Sequence, residues 1–265
     1  MVFYSAFEYS YLWLPLLGLV IGLLASAIGG GGGFFFPPVL ILFFNVPAHI
    51  AIATSLAATL PICIAGAAVH YRNGNLDLNK GLVFGIAGIL GALGGASVTG
   101  LLTPGQLKTT FGIYSLLLAV LIIMNERKEK KKLESKDNTL ISKVLKWIPR
   151  GSFYGFAGGA ITGTFGTSGT APVLAGLFAI KIPLKMVAGT SLMIIFINTV
   201  SALAGHLVLG VIDLTLVWFL TAGTVAGSIA GPKLTSGIKF GDKEGFIKQT
   251  FAYIVLAFGL IMIFT

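Results

Sequence analysis

Two short glycine-containing stretches of the chain, each followed by proline and the second also carrying hydroxyl side chains, suit anion binding. The first is Gly29 to Gly33 with Phe34 after it; the second is Gly166, Thr167, Ser168, Gly169 and Thr170. Pro38 and Pro172 follow at matched places. Where such a break opens a helix, the first backbone N–H groups have no intrahelical acceptor and the helix dipole presents partial positive charge. Glycine lets the backbone approach closely and adopt left-handed conformations, so several N–H groups can gather around one ligand. The candidate ligands are therefore Gly30, Gly31, Gly32, Gly33 and Phe34 in the first stretch and Gly166, Thr167, Ser168, Gly169 and Thr170 in the second. Few Lys or Arg lie in the surrounding apolar runs, so the ligand would be neutralised by dipoles and hydrogen bonds, which fits a small oxyanion.

Other polar residues stand close by. Thr54 and Ser55, with Thr190 and Ser191, lie about one turn into the next helix; they read either as substrate contacts or as hydroxyls bonded back to the preceding turn. His70 and His206 each precede a Gly and an Asp, a setting for proton binding near neutral pH or for capping at a helix end. Asp77 and Asp213 open the following helices and read as caps. Pro61 should kink its helix, and Asn198 is a polar group in an apolar run. Gly166–Gly169 also fits the G-x-S-G pattern of intramembrane serine proteases, with Ser168 as nucleophile and His206 as base. Four residues are a weak motif in a chain with 36 glycines, and the matched first-half position holds Phe34. The lone Cys63 excludes an internal disulfide framework or a thiolate metal site. No catalytic residue, metal or cofactor is expected.

The elements that position these residues follow from composition. The chain has 265 residues, 55% hydrophobic and 10% charged, against about 25% charged in a soluble domain. A soluble fold lacks the charge to coat its surface. Half of the 18 basic residues fall in the polar linker 126–150, ERKEKKKLESKDNTLISKVLKWIPR, and two long apolar blocks flank it. The net charge of +9 thus marks a membrane protein and not a nucleic-acid footprint. The expected organisation is a transmembrane repeat over 1–125, a basic linker over 126–150 and a second repeat over 151–265. The first residues carry no Lys or Arg ahead of their apolar run, so they are expected to be retained rather than cleaved as a signal peptide.

The two blocks are copies. Gly29, Gly32, Pro38, Val39 and Leu40 match Gly163, Gly166, Pro172, Val173 and Leu174. Further on, Pro47, Thr54, Ser55, Leu56, His70, Gly74, Asp77 and Leu78 match Pro183, Thr190, Ser191, Leu192, His206, Gly210, Asp213 and Leu214, and Lys108, Thr110 and Phe111 match Lys248, Thr250 and Phe251. In the first half an apolar run over 11–28 is broken by the glycines. A short run over 34–44 follows, then three longer runs over 48–71, 77–100 and 105–125. The short run would be roughly 16 Å long as a helix, about half the hydrocarbon core. Scattered glycines such as Gly85, Gly88, Gly91, Gly94 and Gly95 read as close helix packing.

Charge decides between two topologies. If each broken segment folds back, Arg72, Lys80, Lys181, Lys185, Lys233, Lys239, Lys243 and Lys248 join the linker on one side and only Lys108 is left on the other. If it crosses once, Lys181, Lys185 and the group from Lys233 to Lys248 fall opposite the linker. The positive-inside rule favours the first. The predicted fold is all-α: a polytopic transmembrane bundle of two inverted repeats, each a Gly-broken re-entrant or hairpin segment plus three spans. The linker is then cytoplasmic and both termini are outside. Discontinuous helices meeting at mid-membrane between inverted repeats are the architecture of secondary transporters.

At these residues the sequence resembles the sulfite exporter TauE/SafE family of membrane permeases. The likeness lies in the Gly-rich break followed by Pro in each half, the A-x-x-T-S-L segments after Pro47 and Pro183, and the H-x-x-x-G-x-x-D-L element at His70 and His206. It implies proton-linked movement of sulfite or a small organosulfonate across the bacterial cytoplasmic membrane. The expected partners are a small sulfur-containing anion and the lipid bilayer, with no nucleic acid and with a homodimer compatible. A passive anion channel is the alternative that counterflow would separate from a carrier.

Overall fold

The computed structural model describes residues 2–28, 30–129, 141–209, 212–235 and 244–264. Gly29, Gly210, Lys239, Lys243 and the middle of the basic linker, 130–140, lie outside the described residues.

Ten helices follow one another among the described residues. In the first half, α1 (Trp13–Ile28) ends at the glycine run and α2 (Phe36–Phe43) starts after it. They are followed by α3 (Ala48–Arg72), α4 (Leu78–Leu101) and α5 (Pro104–Glu129). The second half repeats the order as α6 (Ile141–Phe165), α7 (Thr170–Ala179), α8 (Leu184–Leu209), α9 (Leu214–Thr235) and α10 (Glu244–Phe264). The short second run begins two residues later than its apolar pattern does. Gly32 to Phe35 form a turn instead, closed by Phe35 N–H donating to Gly32 O at 3.2 Å. Pro37 and Pro38 then enter at the start of α2, where a missing N–H costs nothing. Both ends of the basic linker are helical, since α5 runs on through Glu129 and α6 begins at Ile141.

Five of these helices, α3, α4, α5, α8 and α9, are long and apolar enough to cross a membrane. Large apolar side chains such as Leu90, Leu101, Phe153 and Trp218 are exposed around the outside, as a lipid-facing surface requires.

Packing pairs the halves reciprocally. α1 lies along α9, and its counterpart α6 lies along α4; α3 meets α9 as α8 meets α4, while α3 meets α8 and α5 meets α10. Glycines allow the two long contacts. A Cβ at Gly159 would lie 2.0 Å from Gly88 O, and one at Gly223 would lie 1.7 Å from Pro15 O, so these backbones touch directly. Gly91 and Gly95 face α6 and Gly85 and Gly88 face Ile197 and Asn198 of α8, but Gly94 faces open space. The ring of Tyr11, ahead of α1, lies 5.9 Å from that of Phe44, just after α2. In the second half, Gly176 near the end of α7 sits against Tyr154 of α6.

A two-residue parallel pairing, β1 (Val2–Phe3) with β2 (Ile212–Asp213), joins the start of the chain to the loop before α9.

Candidate functional site

The two glycine breaks, far apart in sequence, lie against each other. Thr170 Oγ1, at the start of α7, donates to Gly30 O at 2.7 Å. A Cβ at Gly33 would fall 3.0 Å from Ser168 N. Ser55 Oγ, from α3, reaches both breaks: it donates to Gly166 O at 2.8 Å and lies 3.4 Å from Gly33 O. Ser168 Oγ is 2.6 Å from Thr170 Oγ1. Because the single Thr170 hydroxyl proton is given to a carbonyl, Ser168 is the donor in that pair, and the chain runs Ser168 to Thr170 to Gly30.

Each break contains two glycines in the left-handed region. These are Gly31 (φ 63°) and Gly32 (φ 72°) in the first and Gly166 (φ 65°) and Gly169 (φ 54°) in the second. Gly169 is the N-cap of α7, so the first N–H groups of a ten-residue helix open at the contact. Thr167 and Ser168 are each 1% exposed, and Gly31, Gly32, Gly33 and Phe34 are buried.

The breaks also differ. The first is walled mostly by apolar and aromatic groups: Phe34 packs on Phe111 of α5 with ring centroids 5.8 Å apart, and Gly32 sits against Ile21 and Ile62, while the hydroxyls of Ser55 and Thr59 stand beside Gly33. The second carries hydroxyls. Phe165, at the end of α6, stacks on Tyr114 of α5 at 5.3 Å, so α5 lines both breaks with aromatic rings. Single-sequence reading does not pick out Phe111, Tyr114 and Phe165, because aromatic residues in a membrane helix look the same whether they face lipid or a neighbour.

Thr54 and Thr190 reach across to the opposite half. Thr54 Oγ1 accepts from Asp213 N at 3.1 Å, and Thr190 Oγ1 accepts from Asp77 N at 2.9 Å. Both hydroxyls are fully buried. These bonds direct Thr54 and Thr190 to the helix starts of the other half and away from the contact between the breaks, and Ser191 is buried in α8. Asp77 and Asp213 cap their helices. Asp77 accepts from Lys80 N at 3.1 Å, and Asp213 Oδ1 accepts from Thr215 N at 3.0 Å. Partial burial pushes the Asp77 carboxyl up, but hydrogen bonds from Lys80 and the charge of its ammonium outweigh this and hold it below the usual carboxylate range.

His206 is 2% exposed and donates from Nε2 to Gly163 O at 2.7 Å, within the last turn of α6. The carbonyl can only accept, so this nitrogen carries a proton. Thr99 Oγ1 binds the same helix end through Gly163 O and Thr164 O, and His49 Nε2 bonds Thr99 O at 3.2 Å. No motif singles out His49 or Thr99; the signal open to sequence reading is a polar residue near the end of an apolar run. His70 is 9% exposed, at the far end of α3 against Gly189 of α8. Ser168 and His206 bond elsewhere, to Thr170 and Gly163, so the serine–histidine dyad of the protease reading is not assembled.

Among the described residues no cluster of His, Cys, Asp and Glu could hold a metal ion. Cys63 is buried, against Gly31.

Comparison with known proteins shows the family. The sequence profile of the family described as Sulfite exporter TauE/SafE matches residues 14–262. A "Probable membrane transporter protein YdhB" of Bacillus subtilis (strain 168) is 30% identical over 218 residues, 82% of this chain and 87% of the relative. A second protein of the same organism, "Probable membrane transporter protein YunE", is 24% identical over 255 residues, covering 86% and 88% of the two chains. A "Probable membrane transporter protein" of Xylella fastidiosa (strain 9a5c) is 27% identical over 217 residues, 81% and 80% of the two chains. No solved structure matches. With several apolar membrane-length helices and a family profile spanning nearly its whole length, the chain belongs to the sulfite exporter TauE/SafE family of multi-pass membrane transporters.

Proposed function

We propose that this protein is a secondary-active transporter for a small sulfur-containing anion, sulfite or a small organosulfonate. The anion is held where the two glycine breaks meet and is moved by proton-linked alternating access. The observation that carries this reading is the contact itself: Thr170 on Gly30 and Ser55 between Gly33 and Gly166 draw the ends of the broken helices, with their dipoles, to one buried place. The family's name supplies the sulfur oxyanion; the chemistry of the contact supplies the preference for negative charge without a fixed cation.

The two repeats are read as inverted. Tyr11 beside Phe44 and Tyr154 beside Gly176 support broken segments that each return to the side they came from. The remaining three helices of each half then make an odd number of crossings. The basic residues gather on the linker side, which is cytoplasmic by the positive-inside rule, and both termini lie outside the cytoplasmic membrane. His206, bonded to the end of the broken helix α6, and its repeat partner His70 are the groups through which protons would couple to movement of the breaks.

Purified protein should be stabilised in a thermal-shift screen by sulfite or a C2 sulfonate, and reconstituted protein should exchange labelled substrate in counterflow. A passive channel would not. Ser168→Ala and Thr170→Val, which alter side chains at the contact and leave the glycine backbone intact, should weaken that binding about tenfold or more. Binding at the level of the unaltered protein in both variants would overturn the reading.

A further inference from the structure

Asn198 stands near the middle of α8 (Leu184–Leu209), fully buried. Both polar atoms of its amide, Oδ1 and Nδ2, have no hydrogen-bond partner. A buried amide with both ends unmet is costly, and within a membrane helix no bulk water is at hand to meet them. Its neighbours have been cut back to admit it. A Cβ at Gly88 of α4 would lie 1.9 Å from Oδ1, and a Cβ at Gly158 of α6 would lie 3.6 Å from Nδ2. The same Gly158 point is 3.3 Å from Gly169 O, and Gly169 is the N-cap of α7. The amide and the N-cap of the second broken helix therefore both border Gly158. Thr167 Oγ1, in that break, is also buried and without a partner.

The first half has no such group. The position matched to Asn198 is Ile62, fully buried and packed against Gly32 of the first break. The repeat has thus kept an unpartnered amide beside one break and an aliphatic side chain at the matched place beside the other, where the nearest hydroxyl, that of Thr59 by Gly33, is already given to Ser55 O.

We infer that Asn198 is a binding residue for the transported anion, donating from Nδ2 to it at the N-terminus of α7, and that the second break alone holds the charged group. This rests on the transport reading above and assigns the charge within it. The first break, with Phe34, Ile21 and Ile62 around it, then forms the side against which an uncharged part of the ligand lies.

The test uses binding of sulfite and of ethanesulfonate to purified full-length protein, with the thermal midpoint of each variant recorded without ligand. Asn198→Leu removes both unmet atoms at similar volume, so it should leave the midpoint unchanged or raise it. It should still weaken binding of both probes about tenfold or more, the worth of a hydrogen bond to a charged group. A residue with only a structural part would instead lower the midpoint when replaced. If Asn198→Leu binds both probes like the unaltered protein while Ser168→Ala and Thr170→Val do not, this inference is overturned and the transport reading stands. If neither probe binds the unaltered protein, both are overturned.

Discussion

A Cβ added at Gly166 would lie 2.6 Å from Ile52 O and 2.7 Å from Ile52 Cα, at a φ of +65°. Added at Gly30 it would find nothing nearer than Thr170 Cγ2 at 3.7 Å, with no positive φ. Glycine is needed at the first for both conformation and space, and at the second for neither. Gly166→Ala should cost about 2 kcal/mol or more, from left-handed strain and a forced backbone shift. Gly30→Ala should be neutral or stabilise by up to about 1 kcal/mol through the unfolded chain. Thermal unfolding in detergent separates them; equal midpoints would refute this account of the breaks. The sequence showed a glycine run followed by proline in the first half and, at the matched place, a stretch of glycine, threonine and serine followed by proline in the second. Which of those glycines are required was not legible, because it depends on which backbone lies across from each residue. The same limit hid the Thr54–Asp213 and Thr190–Asp77 bonds. The repeat marked all four residues as a matched set, but pairing across 159 and 113 positions leaves no local pattern to read.

Helix boundaries in the first half were legible to within about four residues, because apolar runs and Pro mark them directly, but the start of α6 at Ile141, inside the polar linker, was not. What a glycine inside a helix does was only half legible. Gly91 and Gly94 sit in one run with the same sequence character, yet a Cβ at Gly91 would lie 2.1 Å from Phe156 O of α6 and one at Gly94 would meet nothing within 4 Å. The helix turns one toward α6 and the other away from it. Gly94→Ala should therefore stabilise α4 by up to about 1 kcal/mol, the helix-propensity difference. Gly159→Ala, whose Cβ would lie 2.0 Å from Gly88 O, must push α6 off α4. It should lower the midpoint by several degrees through lost contact along both helices. A stabilised Gly159→Ala protein would mean that the backbones can separate freely and that close approach contributes little here.

At the scale of the whole molecule, the two cross-half bonds are alike in geometry but unequal in setting. The β1–β2 pairing covers the Asp213 end, where Ser5 N donates to Asp213 Oδ1 at 3.3 Å and Thr215 Oγ1 donates to Ser5 O at 3.0 Å. Asp213 is left 3% exposed, so its N–H depends on Thr54. Asp77 keeps a side-chain exposure of 18%, and water can replace Thr190 there. Thr54→Val thus leaves a buried donor that only an opening of the Asp213 end can hydrate, at about 1–3 kcal/mol in the closed state. Under the proposed alternating access, that would shift the closed-to-open balance by about 5- to 150-fold. Thr190→Val should shift it far less. Cys63 reports the change: it is the chain's one cysteine, buried with its Sγ 3.4 Å from the Cβ point of Gly31. In sealed vesicles a membrane-impermeant maleimide should label Cys63 slowly in the unaltered protein. In Thr54→Val labelling should be faster from the face opposite the linker, and in Thr190→Val it should change little. Under the proposed function, sulfite held between the breaks should slow it again. Equal labelling of all three proteins would mean that these bonds brace the fold without governing which face opens.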